Sequence, residues 1–169
     1  MKALIISAED FEDLELLVPY YRLKEENIET DIASIKKGSI TGKHKYEVIA
    51  NKELKEINPK DYAFLILPGG KAPQKIRHEE KAQKIAQAFN NDNKLIAAIC
   101  HGPQILISAN LMKGKHATSY KEIAKELKDA EALYEDKEVV VDGNLITSRK
   151  PEDLPAFMRE IMKRIKINK

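Results

Sequence analysis

The chain lacks tryptophan, has a single cysteine and contains no apolar run as long as a membrane span. One cysteine cannot form an intramolecular disulfide, and the four histidines show no metal-ligand spacing with it, so we expect neither a disulfide framework nor a metal site. Apolar runs stay well short of the roughly 20 residues that a transmembrane helix needs, and the N-terminal residues become acidic before a signal-peptide pattern can develop. These absences predict a cytoplasmic protein that does not bind membranes.

A strong charge of one sign is also absent. The sequence holds 29 lysines and arginines against 27 aspartates and glutamates, for a net charge of +2, and the basic residues form no block or stripe. Nucleic-acid binding therefore has no support from the charge pattern. With 169 residues, of which 43% are hydrophobic, the chain has the composition of a globular protein, and we predict a single domain over residues 1–169.

Three short apolar runs predict buried β-strands. Residues 2–7 (KALIIS), 63–67 (AFLIL) and 95–99 (LIAAI) are apolar at nearly every position, which is typical of strands covered on both faces of a parallel sheet. Helical periods lie between these runs. A first helix opens at residues 10–11 and a second lies at about 74–91; their predicted inner faces are Leu14, Leu17, Val18, Tyr21 and Leu23 in the first, and Ile85, Ala86, Ala88 and Phe89 in the second.

Further segments complete the predicted order of elements. Residues 28–35 alternate as a strand, residues 38–49 suggest a hairpin, and a second hairpin at 139–146 turns at Asp142-Gly143-Asn144. Pro151 opens a C-terminal helix that runs to residue 165, with an inner face of Leu154, Phe157, Met158, Ile161, Met162 and Ile165. Strands that alternate with helices predict a flavodoxin-like three-layer α/β/α sandwich with a mostly parallel sheet and an added β-hairpin.

Polar groups follow three of the predicted strands at their carboxyl ends, where ligands bind in doubly wound sheets. They lie in residues 9–13, 68–71 and 100–103. Cys100 occupies a sharp strand-to-helix turn, and the start of a helix at 101–109 favours thiolate over thiol. A cysteine after an apolar strand is, as a lone feature, most often a small core residue. The two other polar strand ends make Cys100 the candidate nucleophile.

Groups around Cys100 complete the candidate site. The N–H groups of Gly70 and His101 are placed to form an oxyanion hole, because glycine lets the loop approach closely. An ionised Glu12 would raise the pKa of the thiol, whereas a protonated, buried Glu12 would donate a hydrogen bond to the thiolate. Adjacent side chains in a tight turn usually diverge, which leaves the role of the His101 ring open. Tyr120 either brings a phenol to the site or packs in the core.

Together these segments resemble the PfpI intracellular protease family, within the class I glutamine amidotransferase-like superfamily that also holds the parkinsonism-associated protein deglycases. The resemblance covers nearly the whole chain and is carried by Phe11-Glu12-Asp13, Leu67-Pro68-Gly69-Gly70, Ile99-Cys100-His101-Gly102-Pro103, Thr118-Ser119-Tyr120 and Val139-Val140-Val141-Asp142-Gly143-Asn144. It implies the flavodoxin-like fold and the following site residues: Cys100 as nucleophile, His101 as its catalytic neighbour, Glu12 as the carboxylic acid beside the sulfur, the Gly70 and His101 amides as the oxyanion hole, and Tyr120 in the pocket wall.

The resemblance also implies a homo-oligomer, a dimer or a hexamer built from dimers, in which an acidic residue of the neighbouring chain completes the catalytic triad. That acid follows a Gly-Gly-Arg-Ala-Pro segment; this chain has Gln74 at the matching position and Lys71 in place of the arginine. A glutamine orients an imidazole but does not stabilise an imidazolium with a full negative charge. Lys71 lacks the planar, bidentate donor of an arginine. Peptidase activity is therefore expected to be weak or dependent on assembly.

Two reactions and one non-enzymatic role follow from the resemblance. The first is cofactor-independent glyoxalase or protein deglycase chemistry on methylglyoxal and its adducts, for which Cys100, Glu12 and two amide donors suffice without a metal or cofactor. The second is an ATP-independent intracellular cysteine peptidase, whose substrate is a peptide rather than a small aldehyde. The third is a redox-sensing or chaperone-like stress protein, in which Cys100 oxidises readily.

Overall fold

The computed structural model describes residues 1–167 and shows an α/β fold built on a mostly parallel sheet. Eleven strands lie in this part of the chain: β1 (Lys2–Ile6), β2 (Glu29–Ser34), β3 (Gly38–Thr41), β4 (Glu47–Ala50), β5 (Lys52–Glu53), β6 (Phe64–Leu67), β7 (Leu95–Ile99), β8 (His116–Ala117), β9 (Leu133–Tyr134), β10 (Val139–Asp142) and β11 (Leu145–Ser148). Seven of them form the central sheet in the order β10-β11-β7-β6-β1-β2-β5. The edge strand β10 pairs antiparallel with β11, and the other neighbours pair in parallel.

Helices connect the parallel strands and flank the sheet. Within the described residues they are α1 (Asp13–Glu25), α2 (Ala72–Ile76), α3 (Glu80–Asn91), α4 (Pro103–Ser108), α5 (Ala124–Asp129) and α6 (Leu154–Ile167). One group is formed by α1 and α6, which contact each other; in a second group, α4 contacts both α2 and α3. The predicted α/β architecture, with its added antiparallel hairpin at β10 and β11, is confirmed.

The three apolar runs of the sequence are the central strands β1, β6 and β7. Every residue of β6 and β7 is buried, and in β1 the first residue, Lys2, is the half-buried exception. Helices cover these strands on both faces, which explains why their sequences show no alternation of polar and apolar residues. The predicted inner face of α6, from Leu154 to Ile165, is buried at all six positions named above.

The second predicted helix is in fact two helices. The sequence pattern predicts one helix at about 74–91, but α2 ends at Ile76 and α3 begins at Glu80. Glu79 has an extended backbone, and the side-chain amide of Gln83 donates a 2.7 Å hydrogen bond to the carbonyl of Arg77. This side-chain bond satisfies a carbonyl at the end of α2 and permits the change of direction. The helix predicted at 101–109 is likewise shorter, since α4 spans Pro103–Ser108.

The predicted inner face of α1 is confirmed only in part. Leu23 is buried and Leu17 is partly buried against the core, but Leu14, Val18 and Tyr21 are exposed. The buried face also carries Leu16, which was not predicted. Helical periodicity fits both sets, because apolar residues occur on two sides of this helix. Packing against the sheet buries the face of α1 that also carries Glu15, and this places the Glu15 carboxyl in the protein interior.

No helix in residues 1–167 combines the length and the apolar character that are needed to cross a membrane.

Candidate active site

The loops after β1, β6 and β7 meet at one edge of the sheet, because these three strands are neighbours in it. The loop after β1 pairs with the loop after β6 through an isolated antiparallel bridge between Phe11 and Gly70. The N–H of Glu12 donates to the carbonyl of Gly69 at 3.1 Å, and the N–H of Lys71 donates to the carbonyl of Asp10 at 2.8 Å. The convergence that the sequence predicts is therefore formed by backbone hydrogen bonds.

Cys100 lies directly after β7 in a left-handed backbone conformation, with φ of 63°. This conformation is uncommon for a residue with a side chain and is found where surrounding contacts enforce it. The N–H of Cys100 donates to the carbonyl of Ser148 at 3.0 Å, and its carbonyl accepts from the N–H of Tyr120, also at 3.0 Å. The turn thus aims the thiol out of the sheet edge, and 8% of the residue is exposed.

Two backbone amides approach the sulfur of Cys100. They are the N–H groups of Gly70 and His101, and both lower the pKa of the thiol. Gly70 has φ of +81°, and a Cβ atom at this position would lie 2.5 Å from the carbonyl oxygen of Asp10. A bare backbone is therefore required for this amide to reach the thiol. The arrangement brings together the pair of donors that the sequence proposes as an oxyanion hole.

The carboxyl group beside the thiol belongs to Glu15, not to Glu12. A Cβ atom on Gly69 would lie 2.5 Å from Oε2 of Glu15 and 2.6 Å from Cβ of Cys100, so the two side chains meet over this glycine. Oε2 of Glu15 accepts the N–H of Gly69 at 2.8 Å, whereas Oε1 has no hydrogen-bond partner within residues 1–167. Glu12 is buried in the same cavity, but its carboxylate is paired with the ammonium group of Lys43 at 2.6 Å.

The thiol of Cys100 and the carboxyl of Glu15 influence each other. The pKa of Glu15 is raised to about 8, mainly by burial; the nearby charge of Glu12 contributes to the rise, and the hydrogen bond from the N–H of Gly69 opposes it. Burial also raises the pKa of the Cys100 thiol, and a charged Glu15 adds to that shift. Burial therefore opposes the predicted effect of the helix start, which favours thiolate over thiol. At neutral pH, Glu15 is mainly protonated and can donate a hydrogen bond to a thiolate that forms during reaction.

The ring of His101 reaches the sulfur of the preceding residue. Its Nδ1 atom lies 3.2 Å from Sγ of Cys100, so the side chains converge in this turn. Burial lowers the pKa of His101, which favours the neutral imidazole that accepts a proton. The ring lies 5.3 Å from the ring of Tyr120, with an angle of 34° between their planes. Tyr120 therefore lies in the wall of the site, beside the imidazole.

A cavity of about 960 Å³ opens in front of Cys100. Its walls include Lys71, Gln74 and Tyr120, which the sequence singled out, together with Glu122 and Arg149, which it did not. Lys71 and Gln74 are exposed, and Gln74 lies on the short helix α2. The cavity has room for a small aldehyde or for the side chain of a peptide.

Three potential cation ligands lie together beside the cavity, but the carboxylates among them already bind groups of the protein. Glu12, Asp13 and His44 bring three ligand atoms within 4.8 Å of one another. The carboxylate of Asp13, however, accepts the backbone N–H groups of His44 at 2.9 Å and Tyr46 at 3.0 Å. Because Glu12 pairs with Lys43, these acids fasten the hairpin of β3 and β4 to the start of α1.

Sequence reasoning missed two acids of the site, and a signal exists for one of them. Glu15 lies three residues after Glu12, so both share one side of α1 once that helix begins at Asp13. An acid on the same face as the buried residues is unusual and marks a functional position. Glu122 gives no such signal, because its proximity to His101 arises from the packing of a separate segment.

Comparison with known proteins places these features in a family. The sequence model of the DJ-1/PfpI family matches residues 1–164. Deglycase PfpI of Pyrococcus furiosus is 51% identical over 166 residues, which cover 98% of this chain and 100% of that protein. The Bacillus subtilis protein YraA, whose name assigns it provisionally to the cysteine proteases, is 38% identical over 166 residues, with 98% of each chain covered.

Solved structures share the fold. A two-domain protein of Anabaena variabilis, with DJ-1/ThiJ/PfpI-like and ferritin-like domains, superposes with a TM-score of 0.96 and 35% identity. The match covers 98% of this chain and 50% of that protein, so this chain spans half of its length. DJ-1 of Schizosaccharomyces pombe superposes with a TM-score of 0.90 over 98% of this chain and 92% of that one, at 24% identity.

Proposed function

Because this chain belongs to the DJ-1/PfpI family, we propose that it is a cysteine-dependent hydrolase that carries out cofactor-independent glyoxalase or protein deglycase chemistry on methylglyoxal and its adducts. The observation that carries the proposal is the surroundings of Cys100. Its sulfur lies 3.2 Å from Nδ1 of His101, and the backbone N–H groups of Gly70 and His101 donate toward it. Relatives named deglycases, at 51% and 50% identity, support the deglycase part of the proposal.

The first step is addition of sulfur to the aldehyde. As Sγ of Cys100 attacks the aldehyde carbon of methylglyoxal, the thiol proton passes to Nδ1 of His101 and a C–S bond forms. Negative charge develops on the aldehyde oxygen, where the two amides stabilise it. Return of the proton from His101 to this oxygen gives a hemithioacetal, so the thiolate need not accumulate beforehand. This route is compatible with the raised pKa of the thiol.

The second step is an internal proton transfer. The hydrogen on the hemithioacetal carbon leaves as a proton while the neighbouring ketone oxygen gains one, which gives an enediol. A proton is then added to the former ketone carbon as the hydroxyl group on the sulfur-bearing carbon loses its proton, which gives the lactyl thioester, so the aldehyde carbon is oxidised as the ketone is reduced. No external oxidant or reductant is consumed. Glu15, with a pKa of about 8, is suited to carry this proton near neutral pH. Water then attacks the thioester, the C–S bond breaks, and lactate leaves as the thiol regains its proton.

A peptidase remains the second candidate. The pair of Cys100 and His101 is the arrangement that cysteine proteases use for acyl transfer, and the likeness to YraA favours it. Gln74 supplies no negative charge to the cavity of its own chain or of a neighbour. The redox alternative gains less support, because a buried thiol with a raised pKa reacts slowly with peroxide.

The proposal extends to assembly. Exposed apolar side chains lie on the outer face of α1 and on the hairpin of β3 and β4, whose loop is hydrogen-bonded to Asp13 at the start of α1; they are Leu14, Val18, Tyr21, Tyr46 and Ile49. We call these five residues the α1–hairpin surface. The resemblance implies a homo-oligomer, and we propose that a second copy of the chain covers this surface. That copy would lie next to the cavity, because Leu14 also lines it.

Turnover of methylglyoxal tests the proposed function. We expect purified protein to form many equivalents of lactate, and Cys100→Ser to form no more than buffer containing free cysteine at the same concentration. Equal lactate formation by wild type and Cys100→Ser would contradict the proposal. A parallel assay with a fluorogenic peptide identifies the second candidate: cleavage that needs Cys100 and increases in Gln74→Glu would indicate a peptidase.

A further inference from the structure

One acid of the same chain faces the ring of His101 from the side opposite the thiol. Oε2 of Glu122 lies 3.8 Å from Nε2 of His101, while Nδ1 lies 3.2 Å from Sγ of Cys100. We propose that Glu122 is the positioning residue of His101, and that it supplies from the same chain the negative charge that Gln74 does not provide. This inference rests on the proposed role of His101 as the base for Cys100.

The two nitrogen atoms of the ring have different tasks in this geometry. Nδ1 must be unprotonated to accept the proton of the Cys100 thiol, so the single hydrogen of the neutral imidazole belongs on Nε2. Nε2 faces the carboxylate of Glu122, which favours a hydrogen at that position and stabilises the imidazolium after proton transfer. At 3.8 Å the contact is too long for a hydrogen bond, and it becomes an ion pair when the imidazole is protonated; rotation of the exposed carboxylate would close the remaining distance.

The backbone that carries Glu122 is fixed to the site even though its carboxylate is exposed. Glu122 lies in the 3₁₀ turn Lys121–Ile123, directly after Tyr120, whose N–H donates to the carbonyl of Cys100 at 3.0 Å. The side chain of Ile123 is buried. The base of Glu122 is therefore held between a backbone hydrogen bond to the nucleophile and a buried apolar anchor.

A second set of contacts holds the helix that follows. Glu126, one turn along, accepts a hydrogen bond from Gln104 of α4 at 3.2 Å and forms an ion pair with Arg77, which lies just after α2. Arg77 also donates to Ser108 at 2.8 Å. Contacts from α4 and from the end of α2 thus fix the segment that presents Glu122, which reduces the entropy lost when the carboxylate meets the imidazole.

Other charged groups near His101 do not stabilise its protonated ring as Glu122 does. Lys43 opposes protonation of the ring, and burial does so more strongly, while Glu122 and then Glu126 favour it. Glu126 is committed to Arg77 and Gln104. Gln74 is neutral, so within the described chain Glu122 is the acid in ion-pair range of Nε2.

The test compares Glu122→Gln with Glu122→Asp and with Asp129→Asn, an exposed acid at the end of α5 that lies outside the site. For methylglyoxal we expect Glu122→Gln to lower kcat about tenfold with little change in KM, since the lost charge acts on proton transfer rather than on substrate binding. Glu122→Asp should recover most of the rate, and Asp129→Asn should match wild type. A Glu122→Gln variant with wild-type kcat would overturn the inference.

Two readouts do not depend on turnover. Alkylation of the single cysteine by iodoacetamide at neutral pH should be about three- to tenfold slower in Glu122→Gln, because a weaker base withdraws the thiol proton less readily. In a Cys100→Ser background, NMR titration should show a lower pKa of His101 when Glu122 is replaced by Gln. If both readouts change while wild type forms no lactate, the proposed reaction fails and the role of Glu122 stands. If neither changes, the role of Glu122 fails.

Discussion

At the scale of single residues, burial of Glu15 makes stability depend on pH. The pKa of its carboxyl is raised from an ordinary value of 4.5 to about 8 in the folded chain. Between these values the folded state holds a proton that the unfolded state has released. The contribution of Glu15 to the free energy of unfolding is therefore fully present below the lower pKa and decreases as the pH rises toward the upper one. A salt-bridged acid behaves in the reverse way.

Glu15→Gln should remove this dependence. Glutamine keeps an oxygen that accepts the N–H of Gly69 but has no proton to lose. Between about pH 5 and about pH 8, we expect wild type to lose on the order of 3 kcal/mol of unfolding free energy relative to Glu15→Gln, measured by urea denaturation. Glu25→Gln, an exposed acid of the same helix, serves as the control and should follow wild type. Parallel pH profiles for wild type and Glu15→Gln would contradict a buried, neutral Glu15.

At the scale of elements, the turn between β6 and α2 delivers one amide of the site. This turn contains Gly70, whose positive φ and bridge to Phe11 bring its N–H to the sulfur of Cys100. A side chain there would meet backbone on two sides: its Cβ atom would lie 2.5 Å from the carbonyl oxygen of Asp10 and 2.6 Å from the carbonyl carbon of Phe11. The turn therefore cannot keep its position with any other residue.

Gly70→Ala should both destabilise the fold and abolish lactate formation. We expect a loss of about 2–4 kcal/mol in unfolding free energy from backbone strain and overpacking, together with displacement of the amide. Gly143→Ala is the matched control, because Gly143 also has positive φ but faces open space. That control should lose only about 1 kcal/mol and keep its activity. Equal losses in the two variants would mean that the turn tolerates a side chain.

At the scale of the whole molecule, we propose that the α1–hairpin surface is the interface between two copies of the chain. Tyr21 and Ile49 are 53% and 65% exposed, although both are large and apolar. Burial of such side chains between two copies would stabilise a dimer, and aromatic residues often dominate interface energies. The Asp13 contacts to the hairpin keep the two parts of this surface together.

Charge on this surface should weaken self-association. We expect the combined variant Tyr21→Glu and Ile49→Glu to raise the dissociation constant of the oligomer by about 30-fold or more, measured by analytical ultracentrifugation over a range of protein concentrations. Leu133→Glu is the control, since Leu133 is 50% exposed on β9, outside the α1–hairpin surface. A wild-type monomer at all concentrations, or a variant that assembles like wild type, would contradict the proposed interface.

Apolar runs in the sequence were enough to predict the core strands of the sheet. The uninterrupted apolar runs of β1, β6 and β7 indicated buried parallel strands, and the order of elements then placed Cys100 and Gly70 at one edge of the sheet. The outer and inner faces of α1 were not predictable in this way, because two helical stripes of apolar residues compete and only packing against the sheet chooses between them.

The sequence by itself determined the buried strands of the sheet, the turn that carries Cys100 and the glycine that faces it, because hydrophobic periodicity and backbone conformational preferences act over a few neighbouring residues. Only the tertiary structure decided which carboxyl lies beside the thiol, since Glu12 and Glu15 differ by less than one helical turn and the phase of α1 assigns one to Lys43 and the other to Cys100. The approach of Glu122 to His101 also required the tertiary structure. Electrostatic contacts of this kind join residues far apart in the chain, and their strength depends on distances and burial that no local pattern encodes.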